Sequence, residues 1–328
     1  MGTDMAVRNP IRPATGAEVL DLKHFTSEDL RPLLAQEVER WGESLAWDYR
    51  SSSEMILRYV DAKILPGYAA VEKGSVVGYS FFVYEGSKGV IGDLFVSPSR
   101  ADARAVELRL IEHVIETLQQ SPGVQRAEAQ LLAHDTGELA EPFVANRFHR
   151  YRRLFLSLDF ATHSTFPSKL SEQIQIRPWT EADYQPAAGI ITASYRDHID
   201  SEINDQYRTG AGSLRFLNNI VRFPGCGVFD AEASFVAVHQ PTNSPIGMIL
   251  CSRVRDDVGH VTQVCLLSEY RGQGIGESLM ARTCSALRAR KFKLLTLTVT
   301  EANHRAVDLY RKLGFETRRV FDAFVWEQ

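Results

Sequence analysis

Between Gly259 and Gly276 the chain passes from an apolar run rich in Val, Leu and Thr, through Arg271-Gly-Gln-Gly-Ile-Gly276, into the amphipathic run 275–290. A strand must hand over to a helix within one short turn, which restricts the fold more than any other stretch. Gly272, Gly274 and Gly276 leave three alternate positions without a Cβ, so backbone N–H groups can close on an anion while the new helix aims its positive end at it. The turn reads as a phosphate cradle. No Gly-Lys-Ser/Thr follows, and Gly-x-Gly-x-Gly lacks the Gly-x-Gly-x-x-Gly spacing, so P-loop and dinucleotide-fold readings are set aside.

Downstream, a strand over 294–300 runs into Asn303-His-Arg-Ala-Val-Asp-Leu-Tyr310-Arg-Lys-Leu-Gly314-Phe315. Taken together, the two segments resemble the GNAT superfamily of acyl-CoA-dependent N-acyltransferases. The resemblance implies that the loop Arg271, Gly272, Gln273, Gly274, Ile275 and Gly276 holds the coenzyme A pyrophosphate. It implies that Asn303 lies along the pantetheine, that Tyr310 protonates the departing thiolate, and that backbone N–H groups around Val264, Cys265 and Leu266 meet the oxyanion. Acetyl-CoA is then a co-substrate and no metal is needed. Ser268 departs from the family, which often has proline before the loop.

The composition excludes several alternatives. With 328 residues, 44% hydrophobic and 24% charged, the chain has enough material for about two globular domains. Its formal charge of -4 offers no overall basic field to nucleic acid or an anionic membrane. The basic cluster 147–153 reads as a solvated strand edge. No apolar run reaches ~18 residues and the first residues lack the apolar core of a signal peptide, so a cytoplasmic location is expected. Cys226, Cys251, Cys265 and Cys284 show no C-x-x-C spacing, which argues against a metal site or disulfide frame.

The chain also reads as a tandem duplication. Residues 1–17 form an aperiodic arm, 18–160 a first domain, 161–172 a linker and 173–328 a second domain, with strands and helices in the same order on both sides. In the first domain Leu30, Leu33, Leu34 and Val38 are expected to line one helix face. The expected architecture is α/β of the α+β mixed kind: two GNAT-like domains, each a mostly antiparallel mixed sheet flanked by helices. Placing Pro98 against Ser268, an offset of 170, sets Asp102, Arg104 and Val106 opposite the three glycines. The first copy is therefore expected to be silent.

Acetyl transfer to an amine needs a neutral nucleophile, oxyanion contacts and a proton for the thiolate. For the base, period two puts His260 on the strand face of Thr262, Val264 and Leu266, where histone-type family members carry glutamate; a solvent-exposed histidine is the alternative. Ribosomal-protein-type members carry a glutamate on the next strand, and this chain has Thr298 there. Asp197, Asp200, Glu202 and Asp205 cluster between the first two helices of the second domain, where they suit a cationic small-molecule or protein amine, or are simply solvated. A noncatalytic acyl-CoA sensor remains a rival. So does acetylation of a cysteinyl amino sugar, because mycothiol synthase is also a tandem family member with one active half.

Overall fold

The computed structural model describes residues 16–162, 170–222 and 227–328. Most of the expected arm and linker, together with Cys226, lies outside the described residues. The first half contains β1 (Glu18–Asp21), α1 (Ser27–Leu45), α2 (Arg50–Asp61), β2 (Gly67–Glu72), β3 (Ser75–Glu85), β4 (Lys88–Val96), α3 (Ala103–Gln120), β5 (Arg126–Gln130), α4 (Ala140–Ala145) and β6 (His149–Asp159). The second contains β7 (Ile174–Pro178), α5 (Tyr184–Ser194), α6 (Ile199–Ile203), α7 (Gly210–Arg222), β8 (Val228–Phe229), β9 (Phe235–His239), β10 (Ser244–Arg255), β11 (Val258–Leu266), α8 (Ile275–Ala289), β12 (Leu294–Thr300), α9 (His304–Lys312) and β13 (Glu316–Glu327). Each half carries a capping box early in its chain, Thr26 with Asp29 at the start of α1 and Thr180 with Asp183 at the short 3-10 turn before α5. No helix among the described residues is long and apolar enough to cross a membrane.

All the described strands join one mixed sheet in the order β1-β2-β3-β4-β5-β13-β6-β12-β11-β10-β9-β7, with β8 added beside β10. The two halves exchange their last strands. β13 lies antiparallel to β5 of the first half, and β6 lies antiparallel to β12 of the second. β6 and β13 pair with each other at the centre, from Glu316 opposite Ser157 to Val325 opposite His149. The cluster 147–153 is solvated as expected, with Arg147, Arg150 and Arg152 exposed, but it is no edge: its residues from His149 onward belong to a central strand.

The halves also share an irregularity. In β4 the pairing with β3 steps from Asp93 to Ile91 while β3 advances by one, and in β11 the pairing with β10 steps from Gln263 to Val261. The skipped residues, Gly92 and Thr262, differ by 170 (262 − 92), the offset inferred from the sequence. Each is a β-bulge, which reverses side-chain alternation beyond it. Just before the bulge, β4 and β11 each pair in parallel with β5 and β12 over four residues and then diverge.

Helices α8 and α9 cover one face of the second half, over a core that includes Leu154, Leu156, Leu279, Leu295, Leu297, Val307 and Tyr310. Helices α5 and α7 cover the other, over Ile191, Leu217, Met248, Leu250 and Cys265. In the first half Leu30, Leu33 and Leu34 are buried as expected, but Glu37 takes the inward position in place of Val38. Tyr79 Oη donates to Glu37 Oε2 (2.7 Å), and Tyr49 Oη donates to the nearby Asp93 Oδ2 (2.5 Å). Burial, and then the charge of Asp93, push the Glu37 carboxyl well above the usual range.

A raised carboxyl pKa favours folding below the unfolded value and loses that contribution as pH rises through the folded one. The melting temperature should therefore decline as pH rises from the ordinary carboxylate value toward the raised folded-state pKa of Glu37 and level off above it. In Glu37→Gln that decline should flatten, with the variant at least as stable as the parent at pH 8; a pH series of thermal melts checks this.

Candidate active site

The gap between β11 and β12 opens because each strand keeps a different neighbour. β12 stays paired with β6 out to Thr300, and β11 with β10 out to Leu266, while their mutual pairing ends at Val261 and Leu297. Leu267 N donates to Ile246 O (2.9 Å), so antiparallel alternation turns the N–H and C=O of Val264 and Leu266 toward the gap. A cleft of about 160 Å³ occupies it, with Val264, Cys265 and Leu266 on one wall and Asn303, Ala306, Leu309 and Tyr310 on another.

The glycine turn forms one end of this cleft. Gly272 and Gly274 have φ of 82° and 76°, the left-handed region that favours glycine, and Gly274 caps α8. A Cβ on Gly276 would stand 3.7 Å from Leu266 Cδ1 and Leu309 Cδ2, an ordinary contact, so packing alone does not require glycine there. Ile275 buries its side chain in the core, whereas Gln273 bonds back to Glu269 O (3.1 Å). Arg271 ties the turn to its surroundings, donating from Nε to Leu266 O (3.1 Å) and from Nη2 to Ser194 O (2.6 Å). Arg305 lines the cleft, its Nη2 3.4 Å from where a Gly272 Cβ would stand, and supplies a cation at the cradle. It went unnoticed in the sequence because no spacing rule links it to the glycines.

Asn303 caps α9, its Oδ1 accepting from Ala306 N (3.3 Å), and Tyr310 lies two turns on, its ring 5.8 Å from Phe315. Burial, with a smaller contribution from Asp200, raises the Tyr310 phenol, so it stays protonated at neutral pH. His198 reaches the same cleft from the other face. Its Nε2 lies 3.3 Å from Asn303 Nδ2, and its Nδ1 meets Asp200 N (3.1 Å) and Asp200 Oδ2 (3.6 Å). Asp200 Oδ1 in turn accepts from Thr300 Oγ1. Desolvation lowers the His198 pKa against the pull of Asp200. The only sequence signal for His198 was its place among the acids.

Two sequence expectations are corrected. His260 does not line the cleft, because the bulge at Thr262 puts it on the opposite face from Val264 and Leu266. It is buried, with Nδ1 2.9 Å from Thr296 Oγ1 and the Trp47 ring 4.8 Å away, and desolvation pushes it down to about 3. Neither a catalytic base nor an exposed histidine describes it. The acids do not form one cluster either. Asp205 pairs with Lys88 (2.6 Å) and Glu202 with Arg208 (3.2 Å); Asp200 holds His198, and Asp197 is exposed with a φ of 56°.

The first half closes the corresponding gap with its own side chains. Leu94, the counterpart of Val264 at the same offset, donates its N–H to Asp93 Oδ1 (2.8 Å), and its carbonyl is met by His134 Nε2 (2.9 Å). Where the cradle would be, Arg100 is gripped by Glu72 (3.0 Å) and Asp102 (2.7 Å).

If Gly276 is glycine for the sake of a ligand, Gly276→Ala should leave the melting temperature of the free protein unchanged. Its dissociation constant for coenzyme A, by titration calorimetry, should rise by about tenfold, the ~1.4 kcal/mol of one impaired contact.

The profile of the Acetyltransferase (GNAT) family matches residues 196–315. Mycothiol acetyltransferase from Thermobifida fusca is 30% identical over 173 residues, covering 48% of this chain and 50% of that one. The chain spans about half the length of the curated relatives it matches. Among solved structures, a GCN5-related N-acetyltransferase from Sphaerobacter thermophilus superposes with a TM-score of 0.67 at 15% identity, covering 96% of each chain. A tandem GNAT protein from the clavulanic acid biosynthesis pathway superposes at 0.60 and 17%, covering 95% of this chain and 98% of that one. At those identities the likeness is one of fold. The profile match lies over the glycine turn and the open strand gap, so residues 196–315 carry the pattern of the GNAT acetyltransferase family, and the chain as a whole has the fold of the tandem GNAT structures.

Proposed function

We propose that the chain transfers an acetyl group from acetyl-CoA to a primary amine by direct attack in a ternary complex, and that only the second half (173–328) is catalytic. The observation that carries this reading is the meeting of the glycine turn, the open backbone at Val264 and the phenol of Tyr310 on one cleft. The N–H groups of Gly274 to Gly276 and the Arg305 guanidinium take the pyrophosphate, while Asn303 lies along the pantetheine. Val264 N–H meets the developing oxyanion, and Tyr310 donates its proton to the leaving thiolate. Direct attack is favoured because burial pushes the Cys265 thiol up to about 12, leaving almost no thiolate to form an acyl-enzyme.

The amine must give up a proton, and His198 takes it. In the free protein Nδ1 accepts from Asp200 N–H (3.1 Å); in the other ring tautomer the Nδ1 proton faces the Asp200 carboxylate (3.6 Å), Nε2 presents a lone pair to the cleft, and the imidazolium formed is stabilised by Asp200. A second acceptor reading, a cysteinyl amino sugar, draws on the Thermobifida fusca relative. Steady release of free thiol from acetyl-CoA with a panel of primary amines tests the proposal. Coenzyme A binding without any thiol release would favour a sensor.

The two proton-transfer residues should separate by pH. Tyr310→Phe keeps the ring, so coenzyme A binding should persist while kcat falls on the order of 10²-fold, with the acid limb of kcat/KM in place. That limb should lie below ~6.5, the ordinary histidine value, because the His198 pKa is lowered. His198→Gln should lower kcat/KM and flatten the limb. Full activity in Tyr310→Phe at saturating acceptor would reduce Tyr310 to a core residue.

A further inference from the structure

Lys88, Arg126, Arg208 and Arg153 flank the segment that carries His198 and Asp200, and all but one of them meet a carboxylate. Lys88 meets Glu128 (3.2 Å) and Asp205 (2.6 Å); Arg126 meets Glu128 (2.6 Å); Arg208 meets Glu202 (3.2 Å) and Glu327 (2.9 Å). The exception is Arg153 on β6. Its Nε is buried without a hydrogen-bond partner, and its one hydrogen bond runs from Nη2 to Thr298 Oγ1 at a long 3.4 Å. No carboxylate of the described residues forms an ion pair with it.

Position gives this lone guanidinium its meaning. Leu154 and Leu156 on β6 point into the core beneath α8 and α9, so Arg153 points to the opposite face, the side of α5 and α7. It sits directly across from Thr300, the residue that donates to Asp200, and cross-strand side chains of such a pair lie about 5 Å apart at Cβ. The charge of Arg153 is felt by the Tyr207 phenol, whose ring stacks 4.4 Å from Tyr195 of the cleft wall. A half-buried guanidinium without a counter-ion is costly in the free protein, and a planar anionic group would satisfy it with paired hydrogen bonds.

We infer that Arg153, delivered to the second half by the strand exchange, is a specificity-determining residue that binds an anionic oxygen group of the acceptor. The acceptor class is then a primary amine carrying a carboxylate or a phosphate, its amine at His198 and Asp200 and its anion at Arg153. This rests on the acetyltransferase reading and reverses the cationic acceptor expected from residues 197–205, because Asp205 and Glu202 are paired with Lys88 and Arg208, and Asp200 holds His198.

The test uses the full chain and thiol release from acetyl-CoA with matched acceptors: alanine against alaninamide for the carboxylate, and phosphoethanolamine against ethanolamine for the phosphate. The anionic member of one pair should be preferred at least about tenfold in kcat/KM, and the pair concerned distinguishes the two anions. Arg153→Met should erase the preference by raising KM for the anionic acceptor while KM for acetyl-CoA stays put, and Arg153→Lys should recover part of it. If the methionine variant fails to fold, the wild-type preference and the lysine variant decide. Equal or better use of the neutral members, or an unchanged KM in the charge-removing variant, would overturn the inference and leave the transferase reading intact. No thiol release with any amine, despite coenzyme A binding, would instead overturn that reading and this inference with it.

Discussion

The antiparallel pairing of β6 with β13 is the contact on which the rest of the molecule depends. Each of these strands ends its own half yet lies beside the penultimate strand of the other, so one pairing from Glu316 opposite Ser157 to Val325 opposite His149 fuses two sheets into one. The consequence for the cleft is direct. β12 is held along its whole length, Leu294 to Thr300, by a strand from the first half, and so it can part from β11 without becoming an unpaired edge.

The two bulges show how much of the candidate site is backbone and how much is side chain. Gly92 and Thr262 interrupt equivalent strands at equivalent places, and after each one the parallel neighbours diverge. The backbone of the first half thus repeats the opening of the second. What differs is occupancy: Asp93 and His134 hold the amide and carbonyl of Leu94, and Glu72 and Asp102 hold Arg100 at the head of α3. Polar groups that would face a ligand are satisfied internally, so the first half gains stability where the second keeps a binding site.

The sequence made legible what short-range chemistry determines. The turn from Arg271 to Gly276, the cap and phenol of α9 and the duplication at an offset of 170 all follow from local spacing, and the structure brings Val264, Gly276, Asn303 and Tyr310 to one cleft. The failures are all long-range. Counting in twos along β11 puts His260 on the face of Val264, and one extra residue at Thr262 inverts that count. Residues 147–153 read as an edge because positive charge usually marks one, whereas the strand exchange pairs β6 on both sides at the centre of the sheet. Asp205 and Glu202 looked available because Lys88 and Arg208 are remote or unaligned in sequence and meet them only in the folded chain.

That last contact gives the first half a task even where it binds nothing. Lys88 is almost wholly buried between Glu128 and Asp205, and Arg126 Nη2 reaches the carbonyl of Glu202, so the segment carrying His198 and Asp200 is anchored to first-half strands. Removing one partner of such a buried pair would strand a charge at a cost of roughly 3–5 kcal/mol, far more than an exposed pair is worth. The anchor therefore fixes where the acceptor-side wall stands, and β6, through Thr300 and Arg153, fixes what lies beneath it. The same strand exchange that keeps β11 and β12 apart holds His198 over the opening, so the cleft is a property of the pair of halves and of neither alone.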